Sequence, residues 1–218
     1  MKKNARMIGS LLLLAAFTCC QNTTPQLQSR AAVSQQSESA MHTQVDAAAY
    51  FNRGTVKQDK GDLDGAIADF TKAIELKPDY ANAYNNRGVA KKAKRDLDGA
   101  LADYNKAIEL KPDDADAYNN RGTAKGSKGD LDGATADFTK AIQLKPNDEE
   151  AYSNCGHAKR VKGNLDAAIT DLTKAIELNP DDADAYNERG LAKKAKGDLD
   201  GANADFAKAT QLKSGSSR

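Results

Sequence analysis

The chain holds few residues from which a reactive centre can be built: two histidines, His42 and His157, and three cysteines, Cys19, Cys20 and Cys155. Zinc needs three or four imidazole, thiolate or carboxylate groups converging on one point. One histidine here lies in a polar tether, so no metal and no other cofactor is expected. Cys155 and His157 suggest a nucleophile and its base, but residues two apart on a helix do not face each other. Aspartates are abundant, yet they recur at fixed intervals, as expected of residues that cap helices or pair with cations. Gly126, Gly129 and Gly133 lack the lysine and the preceding strand of a phosphate-binding loop, and belong instead to a turn and the helix after it. No nucleophile, base and orienting group converge, so the chain is expected not to be an enzyme.

The elements around these residues explain what they do instead. Lys2, Lys3 and Arg6 precede an apolar run from Met7 to Phe17, too short to span a bilayer, so residues 1–20 are expected to be an export signal. Cys19 or Cys20 is a candidate for lipidation, as in a bacterial lipoprotein, although Phe17 sits where small residues are expected; ordinary cleavage near Cys20 is the alternative. Removing the three charges of this segment from the 32 basic residues leaves 29 against 31 acidic ones. A chain so nearly balanced has no general attraction for nucleic acid or an anionic membrane. Residues 21–46 are rich in Gln, Ser, Thr and Ala, cannot bury enough apolar surface to fold, and are expected to form a disordered tether.

From Ala47 onward the chain repeats every 34 residues, in units 47–80, 81–114, 115–148, 149–182 and 183–216. Each unit has two blocks of helical periodicity joined by a short turn, hence a helix hairpin. Gly61, Gly129, Gly163 and Gly197, or Arg95 in the second unit, form that turn, and the following Asp or Asn can cap the second helix. Pro78, Pro112, Pro146 and Pro180 stop it. The first helix carries Arg53, Arg87, Arg121 and Arg189 at one fixed place, with Lys57, Lys91, Lys125, Lys159 and Lys193 at another, four residues after the arginine place. Asp69, Asp103, Asp137, Asp171 and Asp205 hold one fixed place on the second helix, and a ladder of Arg–Asp pairs is expected.

Tyr84, Gly88, Ala100, Tyr104, Ala107 and Pro112, with the same set in every unit save Leu172 for an aromatic and Ser214 for a proline, resemble the tetratricopeptide repeat family from Ala47 to about Leu212. The resemblance implies an all-α, right-handed superhelical solenoid of five antiparallel hairpins, with 213–218 as a flexible tail. It also implies a concave groove, lined by the first helices, that takes a protein or peptide.

Carried over unit by unit, the groove places are Ala48, Phe51, Thr55 and Gln58; Asn82, Asn85, Val89 and Lys92; Asp116, Asn119 and Thr123; Glu150, Ser153, His157 and Arg160; and Asp184, Asn187, Leu191 and Lys194. Asn52, Asn86, Asn120 and Asn154, with Glu188 in the last unit, form a row that either grips a peptide backbone or bonds to the neighbouring hairpin. Phe51 is expected either to anchor a partner or to pack against the tether. The chaperone-tail clamp of other family members is poorly matched, because Phe51 and Thr55 replace its lysine and asparagine.

The function expected is an exported scaffold, touching a membrane only through a possible lipid anchor. The alternative is a self-associating structural protein of the envelope. Internal units carry Ile67 with Ile74, Leu101 with Ile108, Thr135 with Ile142 and Ile169 with Ile176, whereas the last carries Asn203 with Thr210. That polar pair predicts a self-capped, monomeric stack.

Overall fold

The computed structural model describes residues 46–215; the expected signal with Cys19 and Cys20, the tether up to residue 45 and residues 216–218 lie outside the described residues. Within them the chain is all helical. The helices are α1 (46–59), α2 (Leu63–Leu76), α3 (Ala81–Ala93), α4 (Leu97–Leu110), α5 (Ala115–Ser127), α6 (Leu131–Leu144), α7 (Glu149–Val161), α8 (Leu165–Leu178), α9 (Ala183–Ala195) and α10 (Leu199–Gly215). They pair as five antiparallel hairpins, α1 with α2 through α9 with α10. No described helix is long and apolar enough to cross a membrane.

Local chemistry sets the helix ends. Asp62, Asp96, Asp130 and Asp198 each accept a 2.9 Å hydrogen bond from the backbone N–H three residues on, satisfying an amide that the first helical turn leaves unpaired. The turn before each cap needs a left-handed residue. Gly61, Gly129, Gly163 and Gly197 supply it with φ between 80° and 89°, and Arg95 adopts φ 68° in the same place. Helices α2, α4, α6 and α8 end just ahead of their prolines. Ser214 stands where a fifth proline would be, so α10 runs past the expected end at Leu212 as far as Gly215.

Within a hairpin, glycine on the first helix lets the ring of the second approach. A Cβ on Gly88 would lie 2.7 Å from the Tyr104 ring, so only glycine fits there. Phe70, Tyr104, Leu172 and the alanines around them have no exposed surface. Between hairpins, each second helix packs on the next first helix, and α3, α5, α7 and α9 also touch in succession. Direct contact confined to the first helices puts them on the inside of the curve, so their outer-facing residues line the concave side. At the far end Asn203 and Thr210 are exposed, where the internal counterparts Ile74 and Ile176 are buried.

Candidate functional site

The first helices are held at fixed rotation by an ionic rung on a buried aspartate in four of the five hairpins. Arg53, Arg87, Arg121 and Arg189 donate through Nε at 2.7–3.0 Å and through Nη2 at 2.5–2.7 Å to both oxygens of Asp69, Asp103, Asp137 and Asp205. Lys57, Lys91, Lys125 and Lys193 add a third contact, each at 2.8 Å. Each of these aspartates is 4 % exposed. The Arg53 hydrogen bond, opposed by burial and aided by Lys57, lowers the Asp69 carboxyl to about 2. Hairpin four differs: Cys155 replaces the arginine, and Lys159 alone meets Asp171, at 2.6 Å. Burial and the adjacent Asp171 push the Cys155 thiol up to about 12, so it stays protonated and packs as a small apolar group.

The arginines also tie neighbouring hairpins. Arg87 and Arg189 donate through Nη1 to Thr71 and Thr173 at 3.1 and 3.2 Å, and Arg121 to Asn105 at 2.8 Å. Lys94, Lys128, Lys162 and Lys196 pair with Asp64, Asp98, Asp132 and Asp166 of the preceding hairpin at an exposed edge.

Most of the residues expected in the groove are accessible on its concave side. Asn52, Asn82, Asp116, His157, Leu191 and Lys194 are exposed, and Thr55, Asn85, Asn86, Val89, Lys92, Asn120, Thr123, Ser153, Asn154, Arg160 and Asn187 are half-buried. Two expectations need correction. Phe51 is no exposed anchor: its ring lies 5.7 Å from Phe70 and 5.0 Å from Tyr80, within the cluster around Ile74 and Ala83. Asn119 is 5 % exposed and spends its carbonyl on Asn154.

The asparagine row divides. Asn120 donates to Asn85 and Asn154 to Asn119, each at 3.1 Å, so these two amides bond to the preceding hairpin. Asn52 and Asn86 make no such bond among the described residues. Glu188, at the row's last place, accepts from Arg160 at 2.7 Å and meets His157 Nδ1 at 2.9 Å. These two partners lower its carboxyl, His157 more than Arg160, against the pull of burial.

A cleft of about 250 Å³ opens in this face between hairpins three and four, lined by Thr123, Gly126, Ser127, Leu131, Phe138, Asn154, His157 and Ala158. The residue that opens it was misassigned from the sequence. Gly126 belongs to the last turn of α5, not to the interhelix turn, and stands where the other hairpins carry Gln58, Lys92, Arg160 and Lys194. That break in an otherwise polar series was the available signal. Among the described residues, no group of three or more His, Cys, Asp or Glu side chains is placed to hold a metal ion.

The family model described as TPR repeat matches residues 56–94, 92–128 and 156–197, and models described as Tetratricopeptide repeat match 115–148 and 183–215. The crystal structure of MamA protein is 28% identical, with TM-score 0.68, covering 78% of this chain and 92% of that one. YrrB, a TPR protein with an unusual peptide-binding site, is 25% identical, with TM-score 0.65, covering 81% of this chain and 91% of its own. PilF of Pseudomonas aeruginosa shares the fold at 20% identity, with TM-score 0.73 and 78% of each chain covered. No curated protein matches the chain.

Proposed function

Since the chain belongs to the tetratricopeptide repeat family, we propose that it is a non-catalytic scaffold holding an extended segment of another protein in its concave groove. One observation carries this reading. The packing residues repeat in every hairpin, while the accessible concave ones change from Asn82 and Lys92 to Asp116 and Thr123, then His157, then Leu191 and Lys194. Stability fixes the first set, and a partner would shape the second. The likeness to YrrB, whose description includes a peptide-binding site, supports the same reading.

The reading includes export through residues 1–20, a tether over 21–45 and a monomeric stack, with a lipid on Cys19 or Cys20 as the only membrane attachment. A pair of experiments tests it. A photo-crosslinking amino acid at Asn82 or Asn187 should capture one protein in the native cells, and at the outward-facing Lys72 or Lys140 should not; capture from the outer positions alone would overturn the groove. Labelled fatty acid should enter the chain and be lost in the Cys19→Ser, Cys20→Ser double variant; absence of label in the unaltered chain would leave export by ordinary cleavage.

A further inference from the structure

The places equivalent to Gly126 are filled by the chain's own long side chains at every other junction between hairpins. Gln58 is half-buried at the first junction, its Oε1 without a hydrogen-bond partner. Lys92 occupies the second; burial lowers its ammonium's pKa, with Glu150 the opposing influence. Arg160 fills the fourth and reaches Glu188 of the next hairpin. At the third junction Gly126 leaves the cleft open. A Cβ built there would meet only Ala134 Cβ, at an ordinary 3.8 Å, so the space extends from the backbone outward. The neighbouring junction is further filled by Tyr104, whose counterpart here, Phe138, lacks the hydroxyl.

The charges follow the same register. Glu150, two hairpins onward, is the carboxylate whose charge acts on Lys92. The same step along the sequence leads from Gln58 to Asp116 and from Gly126 to Asp184, a carboxylate in each case. Asp184 is exposed, and its carboxylate pairs with Lys213 at the surface, at 2.9 Å. At about 250 Å³ the cleft is smaller than the roughly 300–1,000 Å³ of small-molecule sites, a size suited to one side chain.

We propose that the cleft beside Gly126 receives a lysine or arginine side chain from the segment held in the groove. Its unbranched stem lies over Phe138, Leu131 and Ala158, and its cation sits at the polar rim of Thr123 and Asn154 on the side toward Asp184. The guest thus takes the place that Lys92 and Arg160 fill from within. This rests on the groove reading above and adds a specificity site to it.

The test uses the full chain and a phage-displayed library of random dodecapeptides. Selected peptides should share one Lys or Arg, and replacing it with norleucine, which keeps the stem and removes the charge, should weaken binding about tenfold. Gly126→Lys, which plugs the cleft as Lys92 plugs its neighbour, should weaken the parent peptide by a similar factor. Combined, the two changes should do little more than either alone, because both act on one cleft. Binders indifferent to norleucine, or effects that multiply when combined, would overturn the cleft assignment while leaving the groove in place. A library that yields no binder, or only binders insensitive to Asn82→Ala, Asn187→Ala and Gly126→Lys alike, would overturn both. The norleucine comparison stands even if Gly126→Lys fails to fold.

Discussion

Asp137→Asn and Asp171→Asn are the same substitution at the same place in adjacent hairpins, and the rungs they disturb predict different outcomes. Asp137 accepts three contacts, from Arg121 at 2.9 and 2.7 Å and from Lys125 at 2.8 Å, and the cations are only 18% and 24% exposed in their side chains. An asparagine there turns an amide donor toward two cations and leaves both without a counter-charge. Breaking a buried pair in this way costs about 3–5 kcal/mol. Asp171 meets Lys159 alone, and its own side chain is 13% exposed. Losing one charge-assisted hydrogen bond there costs about 1.5–3 kcal/mol. Urea unfolding followed by circular dichroism should therefore separate the two variants by roughly 2 kcal/mol at an unchanged slope. Cys155→Arg completes the fourth rung, so Asp171→Asn in that background should cost about as much as Asp137→Asn. Equal costs in the natural background, or no increase after Cys155→Arg, would refute the claim that the guanidinium makes the rung.

Four further outcomes are expected. Tyr104→Phe removes a buried hydroxyl that has no hydrogen-bond partner, and should stabilise the chain by about 1 kcal/mol in the same assay. Arg95→Gly relieves a left-handed arginine, worth about 1–2 kcal/mol, against glycine's added unfolded-state freedom of about 0.5–1 kcal/mol, so it should stabilise modestly. Burial, then Asp182, raises the Glu149 carboxyl to about 7 from an ordinary 4.5, so its ionisation weakens the fold as pH rises between those values. Glu149→Gln should therefore melt with the unaltered chain at pH 4 and above it at pH 8. Asn203→Ile with Thr210→Ile should turn the polar end of α10 apolar and produce dimers by light scattering; a natural chain already dimeric through that end would contradict the self-capped reading.

The hairpins were legible in the sequence because their determinants are local: a left-handed turn residue, an aspartate cap after it, a proline beyond the second helix. The Arg–Asp rungs were legible for a similar reason, since both partners hold fixed places within one hairpin and need no knowledge of how hairpins stack. Contacts between hairpins were harder. Phe51 and Tyr80 depart from the repeat together, and their 5.0 Å approach shows why, but Tyr80 alone reads as an uncapped helix start where Asp114, Asp148 and Asp182 serve elsewhere. Asn119 turned inward because its partner Asn154 comes from the next hairpin. Gly126 was read as part of a turn since a glycine near a helix end ordinarily is one; only the stack shows that a missing side chain there opens a cleft.

The rungs also bear on how such an array can change length. Both charges of a rung lie in one hairpin, so a duplicated or deleted stretch of one repeat carries a complete pair and never strands a buried charge in the copies that remain. The repeated ties that cross between hairpins, such as Lys94 to Asp64, have side chains 41% and 82% exposed, where an unmatched partner is simply hydrated; Arg160 to Glu188, at 23% and 19%, is the half-buried exception. Lys60 and Asp200, which lack that counterpart at the two ends among the described residues, are both exposed. Placing the repeated buried charges inside the unit and the repeated exposed pairs at its borders makes the whole hairpin the natural step of gain and loss.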